Sequence, residues 1–304
     1  MPEYPDIEVY NAALRARAVG HVLQRVRLGS PFVLRTVEPP LSSVNGKVLK
    51  ALRRIGKRLV FEFEGDLFIF IHLMIAGRLQ WKPAGAKLAG RVGLAALDFD
   101  GGTLVLTEVS TKKRASIHLA QGEAALKAFD RGGLEVMTAH LDTFADRLRL
   151  ENHTLKRTLT DPRLFSAIGN AYSDEILHRA KLSPVKLTKS ITGEEIGRLY
   201  EATRAVLTEW TQRLGDELHG DWPEKVTAFR PEMAVHGKYK QPCPVCGGTV
   251  QRIVHAENET NYCPRCQTGG RLLADRSLSR LLKEDWPRTQ EELEEYVATR
   301  GGSQ

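Results

Sequence analysis

All four cysteines of this 304-residue chain fall within 24 residues. They form two Cys-x2-Cys pairs, Cys243 with Cys246 and Cys263 with Cys266, and sixteen residues separate the pairs. Two such pairs on a β-hairpin present four thiolates tetrahedrally, which is the arrangement that a structural Zn²⁺ requires. Two unrelated redox pairs would not need this spacing. The sequence therefore predicts one zinc ion whose binding energy contributes to folding.

The segment between the two pairs indicates how the hairpin is built. Thr249–His255 has the composition of a strand. We expect the hairpin tip, Ala256–Asn261, to project away from the metal and to be free to contact a partner. His255 is interpreted as a hairpin residue and not as a ligand, because four sulfurs already complete the coordination shell.

Composition excludes a disordered or membrane-spanning chain. Hydrophobic residues make up 42% and charged residues 27% of the sequence, values typical of a globular protein with room for two domains. No run of eighteen apolar residues occurs, and the N-terminus lacks a signal-peptide pattern, so we expect a cytoplasmic protein. Lys and Arg outnumber Asp and Glu by 44 to 37. This excess suits a polyanionic partner, although a merely basic soluble protein has the same composition.

The periodicity of apolar residues changes along the chain, with a boundary near Gly132-Gly133. A helix is predicted from Pro5 to Arg17. Short β-rich runs separated by turn signals then predict an all-β sandwich or barrel: Val22–Leu28, Val48–Leu52, Leu59–Phe63, Leu67–His72, Leu94–Phe99 and Thr103–Thr107. Later segments with a 3.6-residue period predict helices: Ala124–Phe129, Leu141–Leu150, Thr154–Leu159, Tyr172–Ala180, Gly193–Leu214, Arg271–Lys283 and Gln290–Val297.

The first residues suggest a nucleophile. Pro2 follows Met1 directly, and removal of Met1 leaves a secondary amine, which titrates near pH 7.7–8.0 as an α-amino group. With an aldehyde-level carbon such an amine forms an iminium that stays cationic, and Glu3 lies beside it to move protons. Because many cytosolic proteins begin with Met-Pro, a solvated terminus before a helix is the alternative interpretation.

A glycine followed by an asparagine, Gly169-Asn170, stands near the start of a predicted helix. Exposed N–H groups and the asparagine amide at this place can bind an anion. The alternative is an ordinary helix corner capped by Asn170.

Together these pieces resemble the formamidopyrimidine-DNA glycosylase / endonuclease VIII (Fpg/Nei) family of base-excision repair. The resemblance runs from Pro2 to about Arg271, and it rests on Pro2-Glu3, Gly56-Lys57, Ile168-Gly169-Asn170 and the zinc finger. It implies an α+β multidomain fold: an N-terminal antiparallel β-sandwich, then a helical helix–two-turn–helix domain with a C-terminal β-hairpin zinc finger, and DNA in the cleft between. The implied ranges are 1–132 for the catalytic domain, 133–236 for the helical domain, 237–271 for the finger and 272–304 for an extension.

The resemblance implies a bifunctional DNA glycosylase/AP lyase that acts on a flipped nucleotide. Pro2 attacks C1′ of the sugar, Glu3 assists protonation of the sugar oxygen, and β,δ-elimination cuts the strand. Lys57 supplies positive charge near the lesion, although alone it reads as a surface lysine in the basic run Arg53–Arg58. The implied DNA-binding residues are Lys113, Arg114, Lys156, Asn170 and Asn258. The implied partner is double-stranded DNA with a damaged base or abasic site, bound by a monomer that is nucleoid-associated in a bacterium and has no membrane contact.

Three positions depart from the family pattern. Asn258 stands where members usually carry an arginine that clamps the phosphate of the flipped nucleotide. Ile75 occupies the methionine position of enzymes that prefer oxidised purines, and the region around Ala115 offers no aromatic residue. Recognition of 8-oxoguanine is therefore not favoured over pyrimidine lesions, formamidopyrimidines or abasic sites.

Two other functions stay open. A DNA-binding protein of the same fold with weak or lost catalysis would account for Asn258. A zinc-ribbon interaction protein unrelated to DNA would leave Pro2, Lys57 and Asn170 unexplained. Retention of both Pro2 and Glu3 favours the enzyme.

Overall fold

The structure is a computed structural model that describes residues 1–224, 226–227, 229–255, 258–273, 287–289, 291–293 and 295. Its contacts divide the chain into two compact units, residues 1–133 with 207–228 and residues 134–206 with 229–304. The predicted domain ranges stay predictions, and the units differ from them in assigning 207–228 to the first unit. The predicted helix Arg271–Lys283 lies mostly outside the described residues, and Gln290–Val297 lies partly outside them.

The described residues up to 133 in the first unit form a helix, eight antiparallel strands and a short second α-helix. The elements are α1 (Tyr4–Ala18), β1 (Val22–Leu28), β2 (Lys47–Ile55), β3 (Arg58–Phe63), β4 (Leu67–His72), β5 (Gly77–Lys82), β6 (Gly93–Phe99), β7 (Gly102–Glu108), β8 (Ser116–Gln121) and α2 (Glu123–Phe129). The strand order is β5-β7-β6-β1-β2-β3-β4-β8. Strands β1 and β2 pair only at residues 22–23 with 47–48, so the sheet consists of two four-stranded halves.

One hydrophobic core lies between these halves. Its buried members come from α1, such as Leu14, from one half, such as Phe61, and from the other half, such as Leu97. The segment that returns to this unit adds Trp222, whose indole N–H donates to the carbonyl of Leu79 at 2.9 Å. The predicted N-terminal antiparallel β-sandwich is confirmed.

Two strands, β5 and β8, were not predicted from the sequence. They form the two edges of the sheet. Each buries few large side chains, Leu79 on β5 and Ile117 and Leu119 on β8, and alternates them with polar residues. Edge strands need only one apolar face, and their polar residues weaken the strand signal.

The second unit is mainly helical. Its elements are α3 (Leu141–Arg149), α4 (Leu155–Thr160), α5 (Asn170–Arg179), α6 (Gly193–Asp216, whose residues from 207 onward belong to the first unit), β9 (Gln251–His255), β10 (Asn258–Tyr262) and α7 (Pro264–Thr268). The helices predicted between residues 123 and 214 are confirmed within two residues at each end. Within the described part of the chain, no helix is long and apolar enough to cross a membrane.

The hairpin tip was predicted too long. Strand β10 already begins at Asn258, which pairs with His255, and the pairing continues to Tyr262 opposite Gln251. The polar sequence Asn-Glu-Thr-Asn gives a weak strand signal, but each of these residues forms cross-strand pairs with β9. The expectation that Ala256–Asn261 forms a projecting tip is therefore wrong for its last four residues.

Candidate nucleic-acid interface and zinc site

The first residues of the chain are held in place by α1. Pro2 is buried and Glu3 is only 3% exposed. Glu3 is the N-cap residue of α1 in a capping box, and the Asp6 carboxylate accepts its backbone N–H at 2.9 Å. Pro5 lies in the first turn, where its missing N–H costs no hydrogen bond. The terminus is therefore an ordered part of the first unit.

The amine at this terminus has an altered pKa. In the structure the amine is that of Met1, and burial lowers its pKa below the ordinary value of 8.0. The charges of Glu3 and Asp6 oppose this shift, whereas those of Arg78 and Lys57 support it. An amine in this environment is more fully unprotonated at neutral pH than an exposed one, and only the unprotonated form is a nucleophile.

Lys57 lies in the turn between β2 and β3. The turn consists of Gly56 and Lys57, and Gly56 has a positive φ of 57°, which favours glycine. Arg54 connects this turn to α1: its guanidinium donates to the Gly56 carbonyl at 3.0 Å and to the Glu8 carboxylate at 2.8 Å. The Arg54 guanidinium also lies over the Tyr4 ring, 4.6 Å from its centroid. Arg54 thus fixes the turn that carries Lys57 relative to the helix that carries Glu3.

Basic groups accumulate beside Lys57. Arg58 pairs with His72 across β3 and β4. Burial, followed by the charges of Arg58 and Lys57, lowers the pKa of His72 to about 4. Burial and the charge of Arg131 likewise lower the pKa of Arg58. Because these cations disfavour one another's charged forms, this end of the sheet favours an anion.

The loop that carries Lys113 and Arg114 joins β7 to β8. Its buried anchor is Glu108, whose carboxylate accepts the backbone N–H groups of Arg114 at 2.8 Å and Ala115 at 3.0 Å. The Lys113 ammonium donates to the Glu108 carbonyl. Lys113 and Arg114 are exposed, whereas Ala115 is buried. The loop therefore presents its charges from a fixed backbone.

Ile75 lies in the turn before β5 and is 55% exposed. The preceding Met74 has a positive φ of 52°. The Arg78 guanidinium donates to the carbonyls of Ile75 at 3.1 Å and Gly77 at 2.7 Å, which holds the turn. An exposed apolar side chain is thus present where the family resemblance expects a methionine.

In the second unit, Lys156 and Asn170 are brought together. The Lys156 ammonium donates to the Asn170 carbonyl at 2.6 Å and forms an ion pair with the buried Asp174. Asp174 also accepts from His236 Nδ1 at 2.8 Å. The charge of Lys156 is therefore partly compensated within the unit.

The Asn170 side chain does not cap its helix. Gly169 is the N-cap residue of α5, so the alternative interpretation, a helix corner capped by Asn170, is wrong. The Asn170 amide instead donates to the Glu259 carbonyl of β10 at 2.8 Å. This hydrogen bond brings Asn170 next to the exposed Asn258, while the Glu259 carboxylate pairs with Arg252 at 2.8 Å.

The four cysteines fit a zinc ion. Their sulfurs all lie within 4.8 Å of one another. The Sγ–Sγ distances are 3.9 Å for Cys243 and Cys266 and 3.4 Å for Cys246 and Cys263. Zn–S bonds of about 2.3 Å give a tetrahedral edge of about 3.8 Å. The donor set and spacing are those of one structural Zn²⁺, which needs no further ligand.

Several residues that organise these sites were missed by sequence analysis. Arg54 was visible only as part of a basic run, and Glu108 was not singled out. Asp174 and Glu175 follow Asn170 on α5, and the sequence analysis gave them no role. In the structure both are buried, and Glu175 accepts three backbone N–H groups, from Ala234, Val235 and His236.

Comparison with known proteins gives three family matches. Residues 1–168 match the formamidopyrimidine-DNA glycosylase N-terminal domain, residues 134–217 the H2TH domain of the same enzymes, and residues 240–269 the zinc finger found in FPG and IleRS. A formamidopyrimidine-DNA glycosylase of Heliobacterium modesticaldum is 31% identical over 278 residues, which cover 88% of this chain and 100% of the relative.

Solved structures resemble most of this chain. The MutM (Fpg) protein of Thermus thermophilus superposes with a TM-score of 0.74 at 31% identity, covering 88% of this chain and 98% of that one. The Lactococcus lactis Fpg in complex with DNA containing an abasic site superposes with a TM-score of 0.76 at 26% identity, covering 88% and 99%.

Proposed function

Because the chain belongs to the formamidopyrimidine-DNA glycosylase family and is a DNA glycosylase of base excision repair, we propose that its nucleophile is the amine of Pro2. The observation that carries this proposal is the ordered N-terminus. Glu3 is buried at the start of α1, and burial lowers the pKa of the terminal amine, which in the structure is that of Met1. The proposal requires removal of Met1, which leaves a secondary amine.

The reaction follows from this amine. The Pro2 nitrogen attacks C1′ of the flipped nucleotide, the bond to the damaged base breaks, and the base leaves with a proton. The sugar ring opens to an iminium, and Glu3 is suited to protonate the ring oxygen. The iminium acidifies C2′, so elimination expels the 3′ phosphate and then the 5′ phosphate. Water releases the sugar fragment and regenerates the amine. AP lyase activity of this kind is typical of the family.

The basic groups of the first unit have a separate role. Lys57 lies in a turn fixed by Arg54, beside cations that lower the pKa of His72. A phosphate at this place would relieve their mutual repulsion. We assign Lys57 to phosphate neutralisation near the lesion, and Lys113 and Arg114 to contacts with the DNA backbone.

The second unit supplies DNA-binding side chains that are held in fixed orientations. Asn170 is oriented by its hydrogen bond to β10, and Lys156 by Asp174. Helix N-termini present N–H groups to phosphates. Asn258 contributes a neutral contact where relatives carry an arginine. We further propose that the protein works as a monomer on damaged or abasic double-stranded DNA in the cytoplasm, and that the four predicted domain ranges correspond to its functional parts.

Borohydride trapping tests the nucleophile. Mixed with DNA containing an abasic site, the full-length protein is expected to give a covalent complex that peptide mapping locates at Pro2. The control is a protein with extra residues before Pro2, which blocks the amine without changing the fold. A complex on an internal lysine, or full-rate cleavage by the extended protein, would contradict the proposal. Glu3→Gln is expected to keep DNA binding and to lose base excision by about 10²–10⁴-fold.

The second candidate function is a damaged-DNA binding protein with weak catalysis, and Asn258 favours it. Removal of a charged phosphate clamp lowers affinity for the flipped nucleotide. The variant Asn258→Arg separates the two candidates. An enzyme that already works efficiently gains little from the added charge, whereas a binding protein gains single-turnover cleavage rate by an order of magnitude or more.

A further inference from the structure

Helix α5 is hydrogen-bonded to the zinc-binding module, residues 237–270, near both of its ends. At its N-terminal end the Asn170 amide donates to the Glu259 carbonyl at 2.8 Å. Just beyond its C-terminal end, the Leu182 carbonyl accepts from the Gln267 amide at 2.9 Å, and Gln267 also accepts the backbone N–H of Cys263. The helix and the module therefore form one hydrogen-bonded assembly within the second unit.

The most informative contact lies at the last turn of α5. Nε2 of His178 is 3.2 Å from Sγ of Cys243. His178 is 5% exposed and Cys243 is 2% exposed, so solvent does not supply this sulfur with an alternative donor. A zinc-bound thiolate carries no S–H and can only accept a hydrogen bond. Nε2 must therefore carry the hydrogen.

The zinc site needs such donors. One Zn²⁺ with four thiolates has a net charge of −2, and the buried apolar side chains Val235 and Val250 pack against Cys243 and Cys263. Buried charge is costly unless it is hydrogen-bonded. The thiols of Cys246 and Cys263 receive backbone hydrogen bonds, from Gly248 and Cys266. Cys243 receives a side-chain hydrogen bond from a different element, α5.

We propose that His178 is a positioning residue of the zinc site, which donates its Nε2–H to the Cys243 thiolate. The hydrogen bond reduces the negative charge on this sulfur and slows zinc release. It also joins metal binding to α5, the helix whose first residue is Asn170. This assignment is independent of the nucleophile, because it concerns the stability of the zinc module and not the chemistry at the N-terminus.

Zinc release from the full-length holoprotein tests the proposal. His178→Phe fills a similar volume without a donor, whereas in His178→Gln the amide nitrogen is the same number of bonds from Cβ as Nε2. In excess chromogenic chelator, His178→Phe is expected to release zinc about 10–100-fold faster than wild type, the usual effect of removing an outer-shell partner. His178→Gln is expected to stay near the wild-type rate. Ile176→Val, a core truncation on the same helix, controls for general destabilisation and is expected to leave the rate unchanged.

Spectroscopy separates a hydrogen bond from packing. In the Co²⁺-substituted proteins, His178→Phe is expected to shift the thiolate-to-cobalt charge-transfer band to longer wavelength, because an unbonded thiolate is easier to oxidise. In wild-type protein loaded with ¹¹³Cd, the His178 Nε2–H proton is expected to show scalar coupling to the metal, a measurement that needs no variant. Equal release rates for His178→Phe and wild type, release from His178→Gln as fast as from His178→Phe, or absence of the ¹¹³Cd coupling would each overturn the proposal.

Discussion

In the first unit the candidate functional groups include cations that repel one another, whereas in the second unit the corresponding cations are paired with acids. Lys57 and Arg58 help to lower the pKa of His72 to about 4. By contrast, Lys156 is paired with Asp174 and Arg252 with Glu259. The difference supports the proposed roles of the two units. In that proposal, the first unit attracts the DNA backbone and lowers the pKa of the terminal amine, and the second unit offers groups fixed by hydrogen bonds.

Loss of zinc should have the largest effect of the changes considered, and it should act on the second unit and not on the first. Cys263→Ser is expected to unfold the zinc module, since the binding energy of a structural zinc is folding energy. Hydrogen exchange should show lost protection in residues 240–269 and retained protection in β2, β3 and β4. Affinity for abasic DNA should fall at least roughly 100-fold, since Asn170 loses its partner on β10. Loss of protection in both units together would show that the first unit depends on the zinc.

Substitution of Arg54 tests whether the turn that carries Lys57 must be fixed relative to α1. Arg54→Met removes the hydrogen bonds to Glu8 and Gly56, and we expect the single-turnover rate to fall about tenfold, equivalent to about 1.4 kcal/mol. The matched control is Arg53→Met on the same strand, because Arg53 instead pairs with Glu62 and Glu123. Equal effects of the two variants would mean that Arg54 contributes charge and not position.

The pH dependence tests the amine. For the Met1 amine of the structure, burial and then, among the cations, Arg78 and Lys57 lower the pKa. On the proposal that the Pro2 amine takes this place, Arg78→Met should raise its pKa. Imine formation requires the unprotonated amine, and its rate falls as the pH drops through this pKa. In a plot of borohydride trapping rate against pH, the fall in rate on the acid side should therefore occur at higher pH in Arg78→Met. Lys82→Met on the same strand is the control, and its pH profile should coincide with that of wild type.

The sequence predicted those features whose signal is local. The Cys243–Cys266 spacing specified the zinc site, and a period of 3.6 specified α3 to α6. What it missed depends on distant contacts. Edge strands β5 and β8 are polar on one face, Arg54 acts through Glu8, which lies 46 residues away, and Asp174 is buried only because Lys156 and His236 surround it. The local sequence of a predicted helix does not indicate which of its carboxylates will be buried.

The smallest effect concerns the salt dependence of DNA binding, and it tests the electrostatic contrast most directly. Each lysine or arginine that neutralises a phosphate adds about one to the magnitude of the slope of log K against log salt concentration. Lys113 and Arg114 are exposed on a loop held by Glu108, so the double variant to Ala should reduce the slope by about two.

Lys156 should behave differently although it carries the same formal charge. Its ammonium is paired with Asp174, which partly compensates the charge that a phosphate would meet. Lys156→Met should therefore weaken binding through a misplaced Asn170 and leave the slope nearly unchanged. Titration of fluorescent abasic DNA between low and physiological salt measures both quantities. A slope reduced by one in Lys156→Met would mean that this lysine leaves Asp174 for the DNA, and the second unit would then supply a phosphate-neutralising cation, as the loop of the first unit is proposed to do.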